Sequence, residues 1–518
     1  MKSNFKNKQL LLFVYGHGGT GKTYLWTTII CALRASKKIV LAVAASGIAS
    51  LLLPSGRTTH SRFKIPLDLT DDSICYVKKN TQLDQLLIET SLIIWDEAPM
   101  SDRRCFESLD KTLKDILDNS CDPFGGKSVL LGGDFRQTLP VKIKASKFDI
   151  INSSLPKSYL WPHFKVVKLL ENMRLHRPNL TTQEKADIRW FSSWLLEVGN
   201  GTVGTPVAKK EVDIKVLHIP QQFLLPTGKD SLADLIRFIY DADTLSHPSL
   251  AKFSDKAIVC PKNKTADEIN DLVLSMCDGT STTYLSSDSM TPHMNDKGDT
   301  EMLYPIEYIN MLNFNGFPPR RLDLKPNTPI ILLRNINQAA GLCNGTRLLL
   351  SRLLPRIIEA QVITGIASGH RVYIPRINFV KKDQELPFIF KRKQFPIKVC
   401  YAMTINKSQG QSLNKIGIYL PESVFSHGQL YVALSRATSI NALKVLIVPE
   451  EGTDSTKTKN IVFFDFLNAI CPTQVEIYIN TQTHTHPHPF FSCVLYIYNS
   501  TFNFYIYYLK LLYILTVD

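Results

Sequence analysis

Residues 10–23 read Leu-Leu-Leu-Phe-Val-Tyr-Gly-His-Gly-Gly-Thr-Gly-Lys-Thr, and this stretch decides the fold class. The apolar run Leu10–Tyr15 predicts a strand, the glycines predict a tight loop, and Tyr24–Leu33 has helical character. Strand, loop and helix in this order open a parallel α/β sheet. Residues 16–23 also satisfy G-x-x-x-x-G-K-[ST], a loop whose backbone N–H groups converge on phosphate oxygens. The flanking strand and helix favour a nucleotide site over a glycine-rich turn that matches by coincidence.

Two acidic residues complete this predicted site. The apolar run Leu92–Trp95 predicts a buried strand that delivers Asp96 and Glu97 at the carboxyl edge of the sheet, where ligands of α/β sheets bind. In the loop, Lys22 would neutralise the β- and γ-phosphates, and Thr23 would place its hydroxyl on Mg²⁺. Asp96 would hold Mg²⁺, directly or through water, and Glu97 would activate the attacking water as general base. An acidic pair at a strand end is also common at surfaces, but the upstream loop favours catalysis.

Three more residues are candidates for sensing the γ-phosphate. Gln137 lies in the segment Gly132–Pro140, which follows a third apolar strand. Its amide can orient water and does not itself gain or lose a proton. Arg174 and Arg436 each end a short segment, and a permanently charged guanidinium suits phosphoryl transfer. The alternative for either arginine is a solvated surface position.

Composition narrows the class of protein. The chain has 518 residues, with 44% hydrophobic and 20% charged residues, which excludes wholesale disorder. Ten scattered cysteines without a CxxC pair argue against a zinc ribbon and a disulfide scaffold, and they fit a reducing compartment. The 60 Lys and Arg against 46 Asp and Glu give a net charge of +14, which favours a polyanionic partner.

The alternation of apolar runs with helical stretches predicts how the chain divides into domains. Apolar runs at 39–44, 91–95, 128–131 and 166–169 alternate with helical stretches and predict a first α/β domain over residues 1–175. A second α/β domain is predicted over 176–289 and 391–450, with a β-rich module inserted at 290–390. Thr181–Gly199 reads as an amphipathic helix whose apolar face comprises Trp190, Phe191, Trp194 and Leu195.

The C-terminal region is read as a linker and an atypical tail over residues 451–518, for which disorder is one interpretation. Thr481–Pro489 is of low complexity, and Phe490–Val517 is long enough to cross a bilayer. Asn499, Asn503 and Lys510 interrupt that stretch, so we expect no membrane span and no membrane partner.

Eight ordered blocks of sequence carry a family resemblance across about residues 10–450. The chain resembles a superfamily-one DNA helicase of the petite-integration-frequency (PIF) type, and most of all the helicase part of Helitron transposons. The blocks are YGHGGTGKT (15–23), ASGIASLLLPSGRTTHSRFKIP (45–66), IIWDEAPM (93–100), GGDFRQTLPV (132–141), ENMR (171–174), LLRNINQAAGLCNGTRL (332–348), AMTINKSQGQSL (402–413) and HGQLYVALSRA (427–437). The resemblance implies an α/β fold with two RecA-like parallel-sheet motor domains and a small β-rich, SH3-like insert in the second.

The resemblance also implies roles for individual positions. ATP and Mg²⁺ would be bound by the loop and the acidic pair, namely Gly16, Gly18, Gly19, Thr20, Gly21, Lys22, Thr23, Asp96 and Glu97. Gln137, Arg174 and Arg436 would sense the γ-phosphate, the two arginines by reaching across the cleft between the motor domains. Strand-contacting positions would be Ser46, Thr58, His60, Ser61, Thr404, Asn406, Lys407, Ser408 and Gln409.

Two observations on DNA contact come from the residues themselves. Small, hydroxylated and amide side chains in these segments suit packing on a sugar–phosphate backbone without base preference. Lys391, Arg392, Lys393 and Lys398 could add a phosphate-tracking stripe, and a solvated basic face is an equal alternative. His60 and His427 could contact DNA or nucleotide, with core or surface roles equally open.

The expected function is an ATP-dependent DNA helicase that unwinds 5′-to-3′ and acts on single-stranded DNA and duplex junctions, with no other small-molecule substrate. The family implies roles in DNA recombination, repair and telomere maintenance, and a nuclear or alternatively mitochondrial location. The chain begins almost on its first strand, so we expect the family's upstream adenine-reading glutamine to be missing. The alternatives are a degenerate mobile-element fragment that binds nucleic acid without ATP turnover, and a P-loop ATPase acting on a protein partner.

Overall fold

Two compact units make up the chain in the computed structural model, which describes residues 9–142, 145–208, 211–292, 303–365, 367–382, 386–449 and 454–470, and the backbone of 474–480 and 494–498. The P-loop unit comprises the described parts of Met1–Gln222, Ser423–Ile440 and Pro449–Asp518. The second unit comprises those of Phe223–Glu422 and Asn441–Val448. This division places residues 176–222 and 423–440 in the P-loop unit, whereas the sequence pattern predicts them in the second α/β domain. The low-complexity stretch 481–489 and most of 490–517 lie outside the described residues.

The strands follow the predicted alternation closely. In chain order they are β1 Leu11–Gly16, β2 Ile39–Ala44, β3 Arg57–Thr58, β4 Thr90–Asp96, β5 Ser128–Gly133, β6 Lys165–Leu169, β7 Thr205–Pro206, β8 Ile214–His218, β9 Lys256–Cys260, β10 Thr282–Leu285, β11 Ser287–Pro292, β12 Arg321–Leu324, β13 Pro329–Leu332, β14 Arg347–Leu353, β15 Ile357–Val362, β16 Arg371–Pro375, β17 Ile377–Lys381, β18 Phe388–Gln394, β19 Ile397–Val399, β20 Ala402–Thr404, β21 Lys415–Leu420, β22 Leu443–Ile447, β23 Lys457–Ile461, β24 Gln474–Asn480 and β25 Val494–Tyr498.

The helices pack around these strands. In the P-loop unit they span Lys22–Ala35, Gly47–Leu51, Thr59–Phe63, Gln82–Glu89, Arg103–Ile116, Lys147–Asn152, Thr182–Asn200, Gln429–Ser435 and Phe464–Asn468. In the second unit they span Ser231–Ile239, Ala242–Ser246, Leu250–Ser254, Asn263–Met276 and Ile306–Met311. Within the described residues, none of these helices has the length and apolarity that crossing a bilayer requires.

The main sheet of the P-loop unit is mostly parallel, and its central strands β1, β2, β4 and β5 are largely buried. Its strand order is β25-β24-β6-β1-β5-β4-β2-β3, and only the β24–β25 pair is antiparallel. Alternate residues of a strand point to opposite faces, so a central strand such as β4 supplies two cores. Ile93 and Trp95 of β4 enter one core, while Leu92 and Ile94 enter the other. The carboxyl ends of β1 and β4 therefore lie at the same edge of the sheet, where the predicted site residues follow them.

The helix Thr182–Asn200 is fixed by its ends and its buried face. Thr181 and Glu184 form a reciprocal capping box, and Gly201 ends the helix with a left-handed φ of 68°. Of the predicted apolar face, Phe191, Trp194 and Leu195 are buried, whereas Trp190 is 44% exposed and stacks beside Trp194.

The second unit combines a parallel sheet with antiparallel ones. The parallel sheet has the order β20-β9-β21-β22. Between Thr282 and Val399 the strands form antiparallel sheets with the orders β16-β15-β14-β13-β19, β11-β18-β17 and β10-β12. This β-rich segment lies between β9 and β20 of the parallel sheet in the chain, and it overlaps residues 290–390, for which an insertion is predicted.

Arg392 departs from the predicted basic stripe. Its guanidinium is fully buried and donates to both carboxylate oxygens of Asp288, with Nε to Oδ1 at 3.0 Å and Nη2 to Oδ2 at 2.7 Å. The carbonyls of Leu312 and Pro318 accept further hydrogen bonds at 2.9 and 3.2 Å. Every donor group of this side chain is therefore used inside the insertion, and none remains for a phosphate.

Arg392→Met should destabilise the protein by about 3–5 kcal/mol, because it leaves the buried Asp288 carboxylate without its partner. The exposed Lys393 on the same strand offers a matched control, and Lys393→Met should change stability by no more than about 0.5 kcal/mol. Urea unfolding followed by far-UV circular dichroism measures both, because all five tryptophans lie in the P-loop unit and would not report on the second unit. Equal midpoints for the two variants would show that the buried pair contributes nothing.

Candidate nucleotide site

The loop between β1 and the helix Lys22–Ala35 has a backbone that requires glycine. Gly19 and Gly21 have φ angles of +93° and +84°, which side chains other than glycine rarely adopt. At Gly16, a Cβ would lie 2.5 Å from Thr20 Oγ1, which itself donates to the His17 carbonyl at 2.8 Å. Lys22 Nζ donates to the Gly16 carbonyl, with the His17 carbonyl 3.4 Å away. The ammonium therefore lies over the loop that precedes it.

Residues 172–174 pack directly on this loop. The Met173 N–H donates to the Gly19 carbonyl at 2.9 Å, and Asn172 Oδ1 accepts from the Arg174 N–H at 3.1 Å. A Cβ at Gly19 would lie 2.8 Å from Asn172 Oδ1 and 3.2 Å from Arg174 Nε. Burial lowers the pKa of Arg174, and Arg177 and Arg436 lower it further. The structure thus brings the predicted Arg174 against the phosphate-binding loop.

The acidic pair lies at the end of β4, as predicted. Asp96 is 6% exposed and Glu97 is 8% exposed. Burial and the neighbouring Asp96 raise the pKa of Glu97 to about 7, against the opposing effect of Lys22 and Arg436. Among the described residues, the buried Asp96 Oδ1 has no hydrogen-bond partner. A buried, unpartnered carboxylate oxygen beside a phosphate loop is the donor that Mg²⁺ prefers, so Asp96 fits a metal ligand.

Arg436 follows the helix Gln429–Ser435 and is buried in the P-loop unit. Its Nε donates to the Val432 carbonyl at 3.0 Å, and its Nη2 donates to Ser435 Oγ at 2.9 Å. Burial lowers the pKa of Arg436, and Glu97 opposes that change. Arg174 Nη1 reaches the carbonyl of Ala437 at 3.5 Å. Both arginines therefore share one compact unit with Lys22 and Glu97, whereas the resemblance led us to expect them across a cleft.

Gln137 is 3% exposed and lies in the turn after β5. Asp134, in the same turn, is fully buried and accepts hydrogen bonds from the Arg136 backbone and from Tyr431 Oη, the latter at 2.7 Å. Burial alone would raise the pKa of Asp134, but Arg136 and Lys22 hold it below its usual range. Sequence reasoning missed Asp134, Arg136 and Tyr431, although all three lie inside the quoted family blocks.

His427 is a core residue in this structure. Its Nε2 lies 3.0 Å from the Phe135 carbonyl, and its Nδ1 accepts the Phe463 N–H at 2.9 Å. These partners require a neutral ring with the proton on Nε2. Burial lowers the pKa of His427 to about 4, so the ring stays neutral at physiological pH. The geometry therefore favours a core role for His427 over contact with DNA or nucleotide.

A crevice beside the loop is lined by polar and apolar groups of the same unit. Its polar lining includes His17, Asn172, Arg174, Tyr431 and Ser435. Its apolar wall is the helix Thr182–Asn200, which contributes Phe191 and Leu195 among others. Backbone groups of Gly18 open into the same space, so the loop faces a lined crevice rather than a flat surface.

The predicted DNA-contacting residues fall into two groups, one in each unit. In the P-loop unit Thr58 is buried, and Ser46, His60 and Ser61 are partly exposed. Ser46 also caps the helix Gly47–Leu51 by accepting the Ala49 N–H at 3.1 Å. In the second unit Asn406 and Lys407 are partly exposed, whereas the remaining members are buried: Thr404, Ser408 and Gln409.

In the second group, Ser408 makes a hydrogen bond within its own turn, and burial affects the charge of Lys407. Ser408 Oγ donates to the Ile405 carbonyl at 2.7 Å, which is a structural role within the turn. Burial lowers the pKa of Lys407. Among the basic candidates, Lys398 pairs with Asp267 at 2.6 Å, so part of its charge is neutralised within the second unit.

Known helicase families and individual helicases are similar to this chain. The PIF1-like helicase family model matches residues 1–209, the model of the DNA helicase Pif1 2B domain matches 307–353, and a helicase model matches 380–507. The ATP-dependent DNA helicase Pif1 of Campylobacter jejuni is 28% identical over 88% of this chain and 90% of its own length. The ATP-dependent DNA helicase RRM3 of Saccharomyces cerevisiae is 23% identical over 85% of this chain, which spans 63% of that relative.

Solved structures show the same fold. The crystal structure of Pif1 helicase from Candida albicans aligns with a TM-score of 0.59 at 22% identity, covering 89% of this chain and 94% of that one. Bacteroides Pif1 bound to single-stranded DNA aligns with a TM-score of 0.58 at 22% identity, covering 85% and 91%. The predicted fold with two RecA-like motor domains is confirmed; the SH3-like character of the insertion and the link to Helitron transposons stay predictions. The chain is therefore similar to PIF1-type superfamily-one helicases in sequence and in fold, as the eight sequence blocks predict.

Proposed function

We propose that the protein is an ATP-dependent DNA helicase that couples ATP hydrolysis to movement along single-stranded DNA and to duplex unwinding, with 5′-to-3′ polarity. One observation carries this proposal: the Lys22 loop, the buried Asp96–Glu97 pair and two buried or half-buried arginines lie in one compact unit. Relatives that carry the name ATP-dependent DNA helicase support it, as does a structural neighbour bound to single-stranded DNA.

In this mechanism the loop backbone and Lys22 bind the β- and γ-phosphates of ATP. Thr23 and Asp96 would hold Mg²⁺, which when bound neutralises phosphate charge. Glu97 takes the proton of the attacking water, because it is the buried carboxylate beside Asp96 whose raised pKa suits a general base near neutral pH. Gln137 orients that water, and Arg174 and Arg436 stabilise the charge that develops on the transferred phosphoryl group.

The DNA-binding side of the proposal rests on charge and residue type. The net charge of +14 supplies the non-specific attraction for a polyanion. The partly exposed candidates Ser46, His60, Ser61, Asn406 and Lys407 would contact the sugar–phosphate backbone. A role in recombination, repair or telomere maintenance is what the resemblance to the family implies. We place the protein in the nucleus, with mitochondria as the alternative.

ATP turnover and strand unwinding test this function together. We expect single-stranded DNA to stimulate ATP hydrolysis, and we expect unwinding of a duplex with a 5′ tail but not of one with a 3′ tail. Unwinding of the 3′-tailed substrate alone would reverse the polarity. Absence of turnover at saturating single-stranded DNA would indicate a degenerate fragment, and turnover indifferent to DNA would indicate an ATPase with a protein partner.

A further inference from the structure

A buried polar network joins three segments next to proposed catalytic residues: the turn that carries Gln137, the helix that precedes Arg436 and the end of the strand before the phosphate loop. Its centre is the Asp134 carboxylate, which is fully buried in the P-loop unit. Oδ1 accepts from the Arg136 N–H at 3.1 Å and faces the Arg136 guanidinium at 3.3 Å. Oδ2 accepts the Tyr431 hydroxyl at 2.7 Å. A fully satisfied buried network of this kind holds its members in one arrangement.

Tyr431 connects this carboxylate to Arg436. It lies in the helix Gln429–Ser435, one residue before Val432, whose carbonyl accepts the Arg436 Nε hydrogen bond. Burial raises the pKa of Tyr431, so its hydroxyl remains a hydrogen-bond donor throughout any practical assay range. The orientation of the helix that carries Arg436 is thus tied to Asp134 by one short hydrogen bond.

The same helix is pressed against the turn that carries Gln137. Gly428, which precedes the helix, has a φ of +69°, and a Cβ there would lie 2.2 Å from the Arg136 carbonyl oxygen. It would also lie 2.7 Å from the carbonyl carbon of Gln137. The helix start and the Gln137 turn are therefore in direct backbone contact, and only glycine permits this approach.

Arg136 extends the network to the strand before the phosphate loop. Its guanidinium lies 5.1 Å from the ring centre of Tyr15, which directly precedes Gly16. Its Nε donates to Asn200 Oδ1 at 2.6 Å. The turn after β5, the Gln429–Ser435 helix and the end of β1 consequently share one buried polar centre.

We propose that Tyr431 is a positioning residue for ATP hydrolysis, acting through Asp134 to fix the Gln137 turn against the helix that carries Arg436. The inference rests on the proposed ATPase function. It does not require Tyr431 to touch the nucleotide. The expected signature is a loss of turnover without a loss of nucleotide binding, since the phosphate loop itself does not depend on this hydroxyl.

The test compares Tyr431→Phe with Tyr159→Phe in the full chain. Tyr159 offers a matched control, because its hydroxyl donates to Asp110 Oδ2 at the same 2.7 Å elsewhere in the P-loop unit. With saturating single-stranded DNA, kcat of Tyr431→Phe should fall ~10- to 100-fold, as expected when a catalytic group shifts slightly. KM for ATP and the Kd for a fluorescent ADP analogue should stay within about twofold of wild type. Tyr159→Phe should change none of the three by more than about twofold.

Asp134→Asn provides a second route if Tyr431→Phe does not fold, because it keeps the side-chain volume and removes the carboxylate. It should show the same split between kcat and KM. Wild-type kcat in every folded network variant, or an equal loss in Tyr159→Phe, would overturn the positioning role while leaving the proposed function intact. A wild-type chain without turnover would instead overturn the proposed function, and this inference with it.

Discussion

Replacing Lys22 with alanine should lower kcat/KM for ATP by at least ~100-fold and abolish unwinding, while binding of single-stranded DNA stays within about threefold of wild type. The ammonium lies at the Gly16 and His17 carbonyls, at the mouth of the loop whose N–H groups would receive the phosphates. Without it, the charge on the β- and γ-phosphates loses its compensating cation.

The experiment needs three readouts and one control. ATP hydrolysis, unwinding of a 5′-tailed duplex, and fluorescence anisotropy of labelled single-stranded DNA are measured on the same preparation. Lys185→Ala is the control, since Lys185 is exposed on the helix Thr182–Asn200 and its loss should leave all three unchanged. A parallel loss of DNA binding and hydrolysis in Lys22→Ala would mean that this lysine does not act chiefly on phosphate.

The parallel sheet of the P-loop unit could be predicted because its signals are local. The runs 39–44, 91–95, 128–131 and 166–169 correspond to β2, β4, β5 and β6, with boundaries that agree within two residues. Such runs are apolar on both faces, which is typical of strands covered on both sides by helices. The loop at Gly16–Thr23 then fixed which edge of the sheet would carry Asp96 and Glu97.

Arg392 could have been placed correctly from sequence, because strands alternate. Lys391 and Lys393 flank it on β18, and a period of two puts Arg392 on the opposite face from both. Reading the three as one stripe ignored that alternation. The partner, Asp288, lies 104 residues away, and no local pattern announces it.

The grouping of Ser423–Ile440 with the P-loop could not be read from sequence. It depends on contacts such as Tyr431 with Asp134, which are 297 residues apart, and His427 with Phe135, which are 292 apart. Contacts at such separation leave no periodicity in either segment. The sequence pattern therefore placed the helix Gln429–Ser435 in the second α/β domain, which is adjacent to it along the chain.

Glu97→Gln should reduce kcat for ATP hydrolysis by ~10²- to 10⁴-fold, the range for loss of a general base, while ATP still binds. The amide keeps the size of the side chain and removes one negative charge, so KM should not rise. Single-turnover hydrolysis and the Kd of a non-hydrolysed ATP analogue measure the two effects. A Glu97→Gln variant with wild-type kcat would remove Glu97 from the role of base.

The raised pKa of Glu97 allows a second test of its role as general base, namely the pH dependence of ATP hydrolysis. Only the ionised carboxylate accepts a proton, and its pKa is raised from 4.5 to about 7. In wild type, kcat/KM should therefore rise about tenfold per pH unit below this value and level off above it. Because phosphate groups also titrate near pH 6, the analogue Kd is measured at each pH, and the residual rate of Glu97→Gln should lack the rise. A flat wild-type profile between pH 6 and 8 would contradict the assignment.

The pH dependence of stability should also reveal the raised pKa of Glu97, independently of catalysis. A carboxyl whose pKa is higher in the folded than in the unfolded state stabilises the fold below the unfolded value, and this contribution is lost as pH rises through the folded value. For Glu97 the window runs from 4.5 to about 7. The melting temperature of wild type should thus fall relative to that of Glu97→Gln as pH increases from 5 to 8. Parallel melting curves for the two proteins across that range would show that Glu97 ionises as readily in the fold as in the unfolded chain, and it would then not be the buried base that the geometry indicates.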